Sequence, residues 1–155
     1  MHEAFMEHID SLAELLDRLV TTPPIVAYPP PMSMPTRGVY LFSEADVHLY
    51  VGRSNRLRKR MCDHARASSP ATKSAFAFQL AREATGKKTA SYKREGSRKD
   101  LMKDPAFVAE FVKAKQRIAR MDLRYVEVTD PVRQTLFEVY AACVLRTPYN
   151  SFDNH

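Results

Sequence analysis

A short stretch of the chain carries four side chains that together can hold an anion and move a proton. Tyr40 and Tyr50 lie in two segments rich in β-forming residues, and Arg60 and His64 follow in a segment with helical spacing. Phenol and imidazole groups exchange protons, whereas a guanidinium pairs with two oxygens of an anion. This combination favours acid–base chemistry on an anionic substrate, provided that the fold brings the four groups together.

A predicted hairpin sets the positions of the two tyrosines. Residues 38–42 and 48–52 have the composition of strands and flank a short polar segment. With a turn centred on Ala45, Tyr40 would lie opposite Tyr50 across the ladder. Both phenols would then point to the same side of the sheet.

Gly52 and the segment that follows it offer an anion-binding surface. Gly52 would lie on the same side as the phenols, and its bare backbone would leave room for a phosphate to approach. A helix with Ser54 as its N-cap would present Arg60 and His64 on one face, because they are four residues apart. The bases around them are Arg53, Arg56, Arg58 and Lys59.

The net charge of +6 is distributed unevenly along the chain. The first 20 residues carry five acids and one base, whereas residues 51–103 carry fifteen Lys or Arg against four acids. A basic block of this kind speeds association with nucleic acid and supplies sequence-independent affinity. A charge run is also a common solvated surface, so the block alone does not decide the function.

The remaining segments complete an α+β chain of one domain. Residues 2–20 predict an amphipathic helix, and the proline-rich stretch 21–35 predicts an extended strap that forms neither helix nor inner strand. Further elements are predicted from spacing and capping residues: helices at 74–85, from Asp104-Pro105 to 120 and from Asp130-Pro131 onwards, a strand at 121–128, and a basic loop at 87–103.

The two tyrosine motifs resemble the signature of the GIY-YIG nuclease superfamily. Gly38-Val39-Tyr40 and Tyr50-Val51-Gly52 are separated by nine residues, and Arg60 lies eight residues after the last of these glycines, where the family places its arginine. Glu138 and Asn150 match the family's late glutamate and the asparagine twelve residues beyond it.

The resemblance implies a particular arrangement within an α+β fold. We expect a small three-stranded, mainly antiparallel sheet flanked by helices, with the family core at 36–66 and 121–155. The N-terminal helix and strap at 1–35 and a helical, basic insertion at 67–120 would be additions within the single domain 1–155.

The resemblance also implies metal-dependent hydrolysis of DNA phosphodiester bonds. We expect Tyr40, assisted by Tyr50, to take the proton from the attacking water. A free phenol has a pKa of about 10, so the arginine cluster or His64 would have to lower it. Arg60 would hold the scissile phosphate. His64, which stands where repair-type members carry a tyrosine and some restriction-type members a histidine, would hydrogen-bond the base or the water.

Glu138 is the expected metal ligand. It lies among apolar residues on a predicted helix, so a carboxylate that faced the core would need a partner. A single carboxylate indicates one Mg²⁺ or Mn²⁺ ion with water in the other positions, and Asn150 would orient the phosphate or the metal ligands. The structural alternatives are an exposed helix acid at Glu138, a turn residue at Asn150, tyrosines that only pack in the sheet, a solvated arginine and a partly buried histidine.

DNA is the expected partner. Contacts are predicted at Gly52, Arg53, Arg56 and Lys59, and at Lys93 and Arg94 in the basic loop of the insertion. The amphipathic first helix could pack on its own chain or form a homodimer, and cutting of both strands by a one-site enzyme would favour the dimer.

Two other functions stay open at this point: a DNA-binding module that keeps the fold without cutting, and a protein-interaction domain whose basic surface is incidental. Glu138 favours the nuclease over the binder, because a binder has no need of an acid at a phosphate-binding face. Cys62 and Cys143 lack metal-ligand spacing and lie in apolar periodic segments, which predicts buried thiols in a reducing compartment. No apolar run is long enough to cross a bilayer, so we expect a soluble, cytoplasmic protein without membrane contact.

Overall fold

A four-stranded antiparallel sheet lies at the centre of the fold. In a computed structural model, which describes residues 1–87 and 97–152, the strands are β1 (Ile25–Val26), β2 (Gly38–Glu44), β3 (Val47–Ser54) and β4 (Asp122–Glu127). They lie in the spatial order β1-β4-β2-β3. The α+β class predicted from the sequence is confirmed, but the sheet has one strand more than the three expected.

The additional strand, β1, comes from the proline-rich strap. Ile25 pairs with Leu123 and Val26 with Asp122, at the outer edge of β4. Prolines before and after β1 limit the strand to two residues. A strand at the edge of a sheet tolerates nearby prolines because few of its backbone N–H groups have to donate to a neighbour. The strap therefore adds a strand only at the edge, which agrees with the prediction that it forms no inner strand.

The register of the hairpin formed by β2 and β3 differs from the prediction. The turn is at residues 45–46, which both have positive φ, and a bulge follows in the ladder. As a result Tyr40 pairs with Gly52 and Phe42 pairs with Tyr50. The ladder is displaced by two residues, an even number, so both tyrosines still lie on one face of the sheet.

Capping residues set the helix boundaries. The helices are α1 (Glu3–Ile9), α2 (Leu12–Thr21), α3 (Leu57–Ala65), α4 (Ala75–Ala84), α5 (Arg98–Leu101), α6 (Pro105–Ala119) and α7 (Pro131–Leu145), with a 3₁₀ turn at Ala71–Lys73. Asp104 accepts from the backbone N–H of Ala106 and Asp130 from that of Arg133, so both predicted N-caps are confirmed. Gly86, with a φ of 74°, follows the end of α4.

Ser54 does not cap α3, contrary to the prediction. The ladder between β2 and β3 continues to Ser54, which pairs with Gly38. The Ser54 hydroxyl accepts from the backbone N–H of Arg56 and so closes the turn between strand and helix.

The N-terminal amphipathic segment forms two helices rather than one. The break falls at Asp10 and Ser11, residue types that favour helix ends over helix interiors. Four leucines of α2 are buried, whereas Phe5 and Met6 on α1 remain exposed. The second half of the segment therefore packs on its own chain.

The sheet has two faces of different chemistry, each covered by helices. Its tyrosine face carries Tyr40, Phe42 and Tyr50 and packs against α3, α4 and α6. The aliphatic face carries Val39, Leu41 and Val51 and packs against α2 and α7. Helix α7 also contacts the edge strand β3 and thereby reaches the rim of the tyrosine face.

The two cysteines are both free thiols. Cys62 is half-buried, but Cys143 is exposed, so the prediction of two buried thiols is wrong for Cys143. It lies on the outer surface of α7, away from the buried residues of that helix. Among the described residues, no helix combines the length and the hydropathy that crossing a membrane requires.

Candidate functional site

A shallow groove of about 370 Å³ opens where α7 passes the edge strand β3. Tyr50, Phe76, Glu138 and Asn150 all line the groove. Its remaining lining residues are Ala75, Gln79, Tyr149, Ser151 and Phe152. The groove therefore joins residues from the predicted family core with residues of the insertion.

A hydrogen bond between Tyr40 and His64 lies directly behind this groove. The Tyr40 hydroxyl is 2.7 Å from His64 Nε2, and both side chains are completely buried. Burial, together with the charges of Arg60 and Lys115, holds the pKa of His64 well below its usual range, so the imidazole is neutral. In the described part of the chain its Nδ1 has no hydrogen-bond partner.

Arg60 is fixed beside the tyrosines by two hydrogen bonds. Its Nε donates to the Tyr40 hydroxyl at 3.3 Å, and one terminal nitrogen donates to the Lys73 carbonyl at 2.9 Å. A guanidinium has five N–H groups, so others remain for an anion. Arg60 and His64 therefore lie next to the two tyrosines, as predicted.

Burial keeps both phenols protonated in the free protein. It raises the pKa of Tyr40 well above 10, and the neighbouring Tyr50 raises it further, against a smaller opposing effect of Arg60. Burial also raises the pKa of Tyr50, and Arg60 offsets this only in part. The expectation that the arginine cluster or His64 lowers a phenol pKa is thus wrong for the free protein, because loss of hydration outweighs the nearby charge.

Tyr50 is the phenol that borders the groove. Its ring stacks on Phe76 with centroids 4.7 Å apart and planes inclined by 9°. The Tyr40 ring lies 6.3 Å from it, further inside the molecule. The sequence favoured Tyr40 as the proton acceptor, but a water molecule in the groove would meet Tyr50 first.

Gly52 has a different role from the one predicted. A side chain at this position would overlap the phenol ring of Tyr40. The absence of a side chain therefore makes space for that ring, and the surface expected to admit a phosphate is occupied by Tyr40.

Glu138 faces the hairpin, as predicted. One carboxylate oxygen accepts from Arg53 Nε at 2.9 Å, and the side chain is 23% exposed. Burial raises the pKa of Glu138, and the ion pair with Arg53 opposes this shift. The negative charge of Glu138 also raises the pKa of both Tyr40 and Tyr50, so the acid and the phenols share one electrostatic environment.

Asn150 binds the protein backbone. Its amide nitrogen donates to the Val51 carbonyl at 2.7 Å, and its amide oxygen accepts from the Val51 N–H at 2.8 Å. The same oxygen accepts from the Thr147 hydroxyl. Asn150 thus continues the sheet beyond β3 and fixes the backbone between Tyr50 and Gly52, whereas the sequence predicted that it orients the phosphate or metal ligands.

The predicted DNA contacts Arg53, Arg56 and Lys59 do not line the groove. Arg56 is exposed ahead of α3, and Lys59 forms an ion pair with Asp63 at 3.0 Å. Lys93 and Arg94 lie outside the described residues. Arg53, which was predicted to contact DNA, forms an ion pair with Glu138.

Phe76 is a site residue that the sequence did not single out. It lies in the insertion, outside the segments that resemble the family, yet it is fully buried and stacks on Tyr50. The helical spacing of α4 indicated a core position but could not show which strand it packs against.

The donor set suits a hard cation held by few protein ligands. Among the described residues, no group of three His, Cys, Asp or Glu side chains is arranged to hold a metal ion. Glu138 offers one partly exposed carboxylate at the groove, and Mg²⁺ commonly binds through one or two carboxylates with water in its other positions. A single Mg²⁺ or Mn²⁺ ion therefore stays a prediction, with the Glu138 carboxylate as the protein ligand that it would use.

Comparison with known proteins leaves the family undetermined. No family model matches the chain, and the searches of curated proteins and solved structures gave no significant match.

Proposed function

We propose that this protein is a metal-dependent endonuclease of the GIY-YIG type that hydrolyses DNA phosphodiester bonds. The observation that carries the proposal is that Tyr50 of the hairpin and Glu138 of α7 line one groove. Inside the protein, next to Tyr50, the Tyr40 hydroxyl is hydrogen-bonded to His64 and Arg60. Phosphodiester hydrolysis needs a proton acceptor, a cation for the phosphate and a stabilised leaving oxygen, and these groups supply each of them.

The two phenols act together as the general base. Tyr50 borders the groove and contacts the attacking water, while Tyr40 lies behind it with its oxygen held by Arg60 and bonded to His64. Negative charge that develops on Tyr50 is stabilised by the Arg60 guanidinium and the Tyr40 hydroxyl. His64, which is neutral and fully buried, fixes the Tyr40 oxygen in position.

Arg60 binds the scissile phosphate. Its bonds to Tyr40 and to the Lys73 carbonyl set the orientation of the guanidinium and leave N–H groups for the non-bridging oxygens. A side chain fixed in this way loses little conformational entropy when it binds the phosphate.

Glu138 holds the divalent ion. Such an ion, when bound, neutralises charge on the phosphate and on the leaving oxygen. Arg53 pairs with the carboxylate in the free protein, so the carboxylate exchanges one cation for another when the metal binds.

The test is supercoiled plasmid incubated with Mg²⁺ or Mn²⁺. We expect nicking or linearisation by the wild type, and a loss of at least a hundredfold in Glu138→Ala and Tyr40→Phe. Glu110→Ala is the matched control, because Glu110 is an acid on α6 whose ion-pair partner among the described residues is the exposed Lys113. Cutting that persists equally in Glu138→Ala and Tyr40→Phe would refute the proposal.

A DNA-binding module without activity is the second candidate. The Arg53–Glu138 pair favours it, because the acid already has a cationic partner without any metal ion. Binding of duplex DNA without metal-dependent cutting under any of these conditions would select this candidate.

A further inference from the structure

A second groove, of about 420 Å³, is lined by residues of α3 and of the segment that follows it, up to Lys73. We call it the basic groove; four of its lining residues are the bases Arg58, Lys59, Arg66 and Lys73. The other lining residues are Cys62, Asp63, Ser68, Ser69 and Pro70. One acid against four bases makes this a strongly positive concave surface.

The charge in the basic groove is available for a ligand. Asp63 is paired with Lys59 at 3.0 Å. Within residues 1–87 and 97–152, no carboxylate forms an ion pair with Arg58, Arg66 or Lys73, and all three side chains are exposed. Three unneutralised cations therefore face a common concavity.

The wall of the basic groove is held in place from inside the protein. Lys115, a residue of α6 with 1% exposure, donates through its ammonium to the carbonyls of Arg66 and Ser69. The Ser69 hydroxyl donates to the Cys62 carbonyl, and the Ser74 hydroxyl donates to the Asp63 carbonyl. The loop that carries Arg66 is thus tied both to α3 and to a buried cation, which preorganises the surface for binding.

The basic groove is connected to the candidate site through Lys73. The Lys73 carbonyl accepts from the guanidinium of Arg60, so the residue that lines the groove also positions the proposed phosphate clamp. Arg60 and the groove residue Lys73 are therefore in direct contact, so an anion bound at Arg60 and one bound in the groove would be neighbours. The repeated phosphates of a nucleic-acid strand provide anions in such a succession.

We propose that the basic groove binds the phosphodiester backbone of duplex DNA beside the cleavage site, with Arg58, Arg66 and Lys73 each neutralising a phosphate. The identity of the polyanion rests on the proposed function, whereas the groove itself does not. Contacts of this type position the duplex and carry no base specificity.

The test is the salt dependence of DNA binding, measured by fluorescence anisotropy of the full chain with a labelled duplex in EDTA. Replacement of Arg58, Arg66 and Lys73 by glutamine, singly and together, should lower the slope of log affinity against log salt by about 1 per side chain. Arg18→Gln is the matched control, because Arg18 is an exposed arginine on α2, in the helix layer at the aliphatic face. It should leave the slope unchanged.

The outcomes separate this inference from the proposed function. The triple variant must first show unchanged circular dichroism and melting temperature. If it then has the wild-type slope, the basic groove does not bind the DNA backbone, even if the wild type cuts DNA. A slope that falls by about 3 in the triple variant would support the groove even if the protein never cuts. A fall of about 1 in Arg18→Gln, as large as that in each single groove variant, would show general charge attraction and would also overturn the proposal.

Discussion

The two faces of the sheet solve the same packing problem with different residues. On the aliphatic face, Val39, Leu41 and Val51 are fully buried and meet the helices through apolar contacts. On the tyrosine face, Tyr40 and Phe42 are equally buried, but a hydroxyl–imidazole pair and an arginine lie within the same layer.

The polar groups buried on the tyrosine face lower the stability of the fold relative to apolar packing. Aliphatic packing stabilises a sheet without further requirements. Burial of a neutral histidine whose Nδ1 has no partner within the described residues opposes folding. Over Val39, Leu41 and Val51, this chain covers the sheet mainly with apolar side chains. We therefore interpret the polar groups of the tyrosine face as retained for function.

The largest expected effect is on the tyrosine face. Tyr40→Phe should lower the single-turnover rate of DNA cleavage by about 10²- to 10⁴-fold, because the proton acceptor loses the hydroxyl that stabilises it. The free energy of unfolding should fall by only about 2 kcal/mol, since the hydrogen bonds of the hydroxyl with His64 and Arg60 are both lost.

Tyr125→Phe provides the control for this change. Tyr125 pairs with Tyr40 across the sheet and packs against the same core, but it does not line the groove. An equal loss of rate in Tyr125→Phe would mean that the effect of Tyr40→Phe is structural.

The aliphatic face should respond in the opposite way. Leu41→Ala removes a fully buried side chain and should lower the free energy of unfolding by about 2–5 kcal/mol. The cleavage rate per folded molecule should stay within about twofold of the wild type at temperatures well below the melting transition. A hundredfold loss of rate with the fold intact would remove the contrast between the faces.

The pH dependence of cleavage tests the protonation state of the phenols. Burial raises the pKa of Tyr40 and Tyr50, so the base is almost wholly protonated at neutral pH and its active fraction grows as pH rises. The single-turnover rate should therefore increase by about tenfold per pH unit between pH 7 and 9. A flat profile over this range would exclude a buried phenol as the base.

The smallest effect concerns the rim between the faces, where Arg53 pairs with Glu138. Arg53→Gln removes the competing cation, so the Mn²⁺ concentration that gives half-maximal cleavage should fall by about two- to fivefold. The effect is modest because the arginine side chain is 42% exposed and the pair is screened by solvent. If the half-maximal Mn²⁺ concentration of Arg53→Gln equals or exceeds that of the wild type, Arg53 does not compete with the metal for this carboxylate.

Local sequence signals predicted much of the secondary structure. The caps at Asp104 and Asp130 fixed the starts of α6 and α7, because a side-chain acceptor followed by proline specifies a helix start within one or two residues. The shared face of Tyr40 and Tyr50 was also predictable, since strand residues alternate between faces and an error of two residues in the register does not change the face. These features require no knowledge of distant contacts.

Features that depend on tertiary contacts could not be predicted in this way. The pairing of Asn150 with the backbone of Val51, and the ion pair of Glu138 with Arg53, join residues far apart in sequence. The pKa values of the phenols were predicted in the wrong direction because the sequence shows nearby charges but not the depth of burial. The hairpin register was missed because a bulge leaves no clear local signal.

The most direct test of the central claim is a double-mutant cycle on the cleavage rate. Tyr50 and Glu138 face the same groove from the hairpin and from α7, so they should act as one site. The rate of the Tyr50→Phe/Glu138→Gln double variant should lie close to that of the slower single variant. When two groups act together, removal of one already abolishes their joint contribution to the rate, so removal of the other lowers the rate little further. Losses that multiply would show two independent sites and contradict the account.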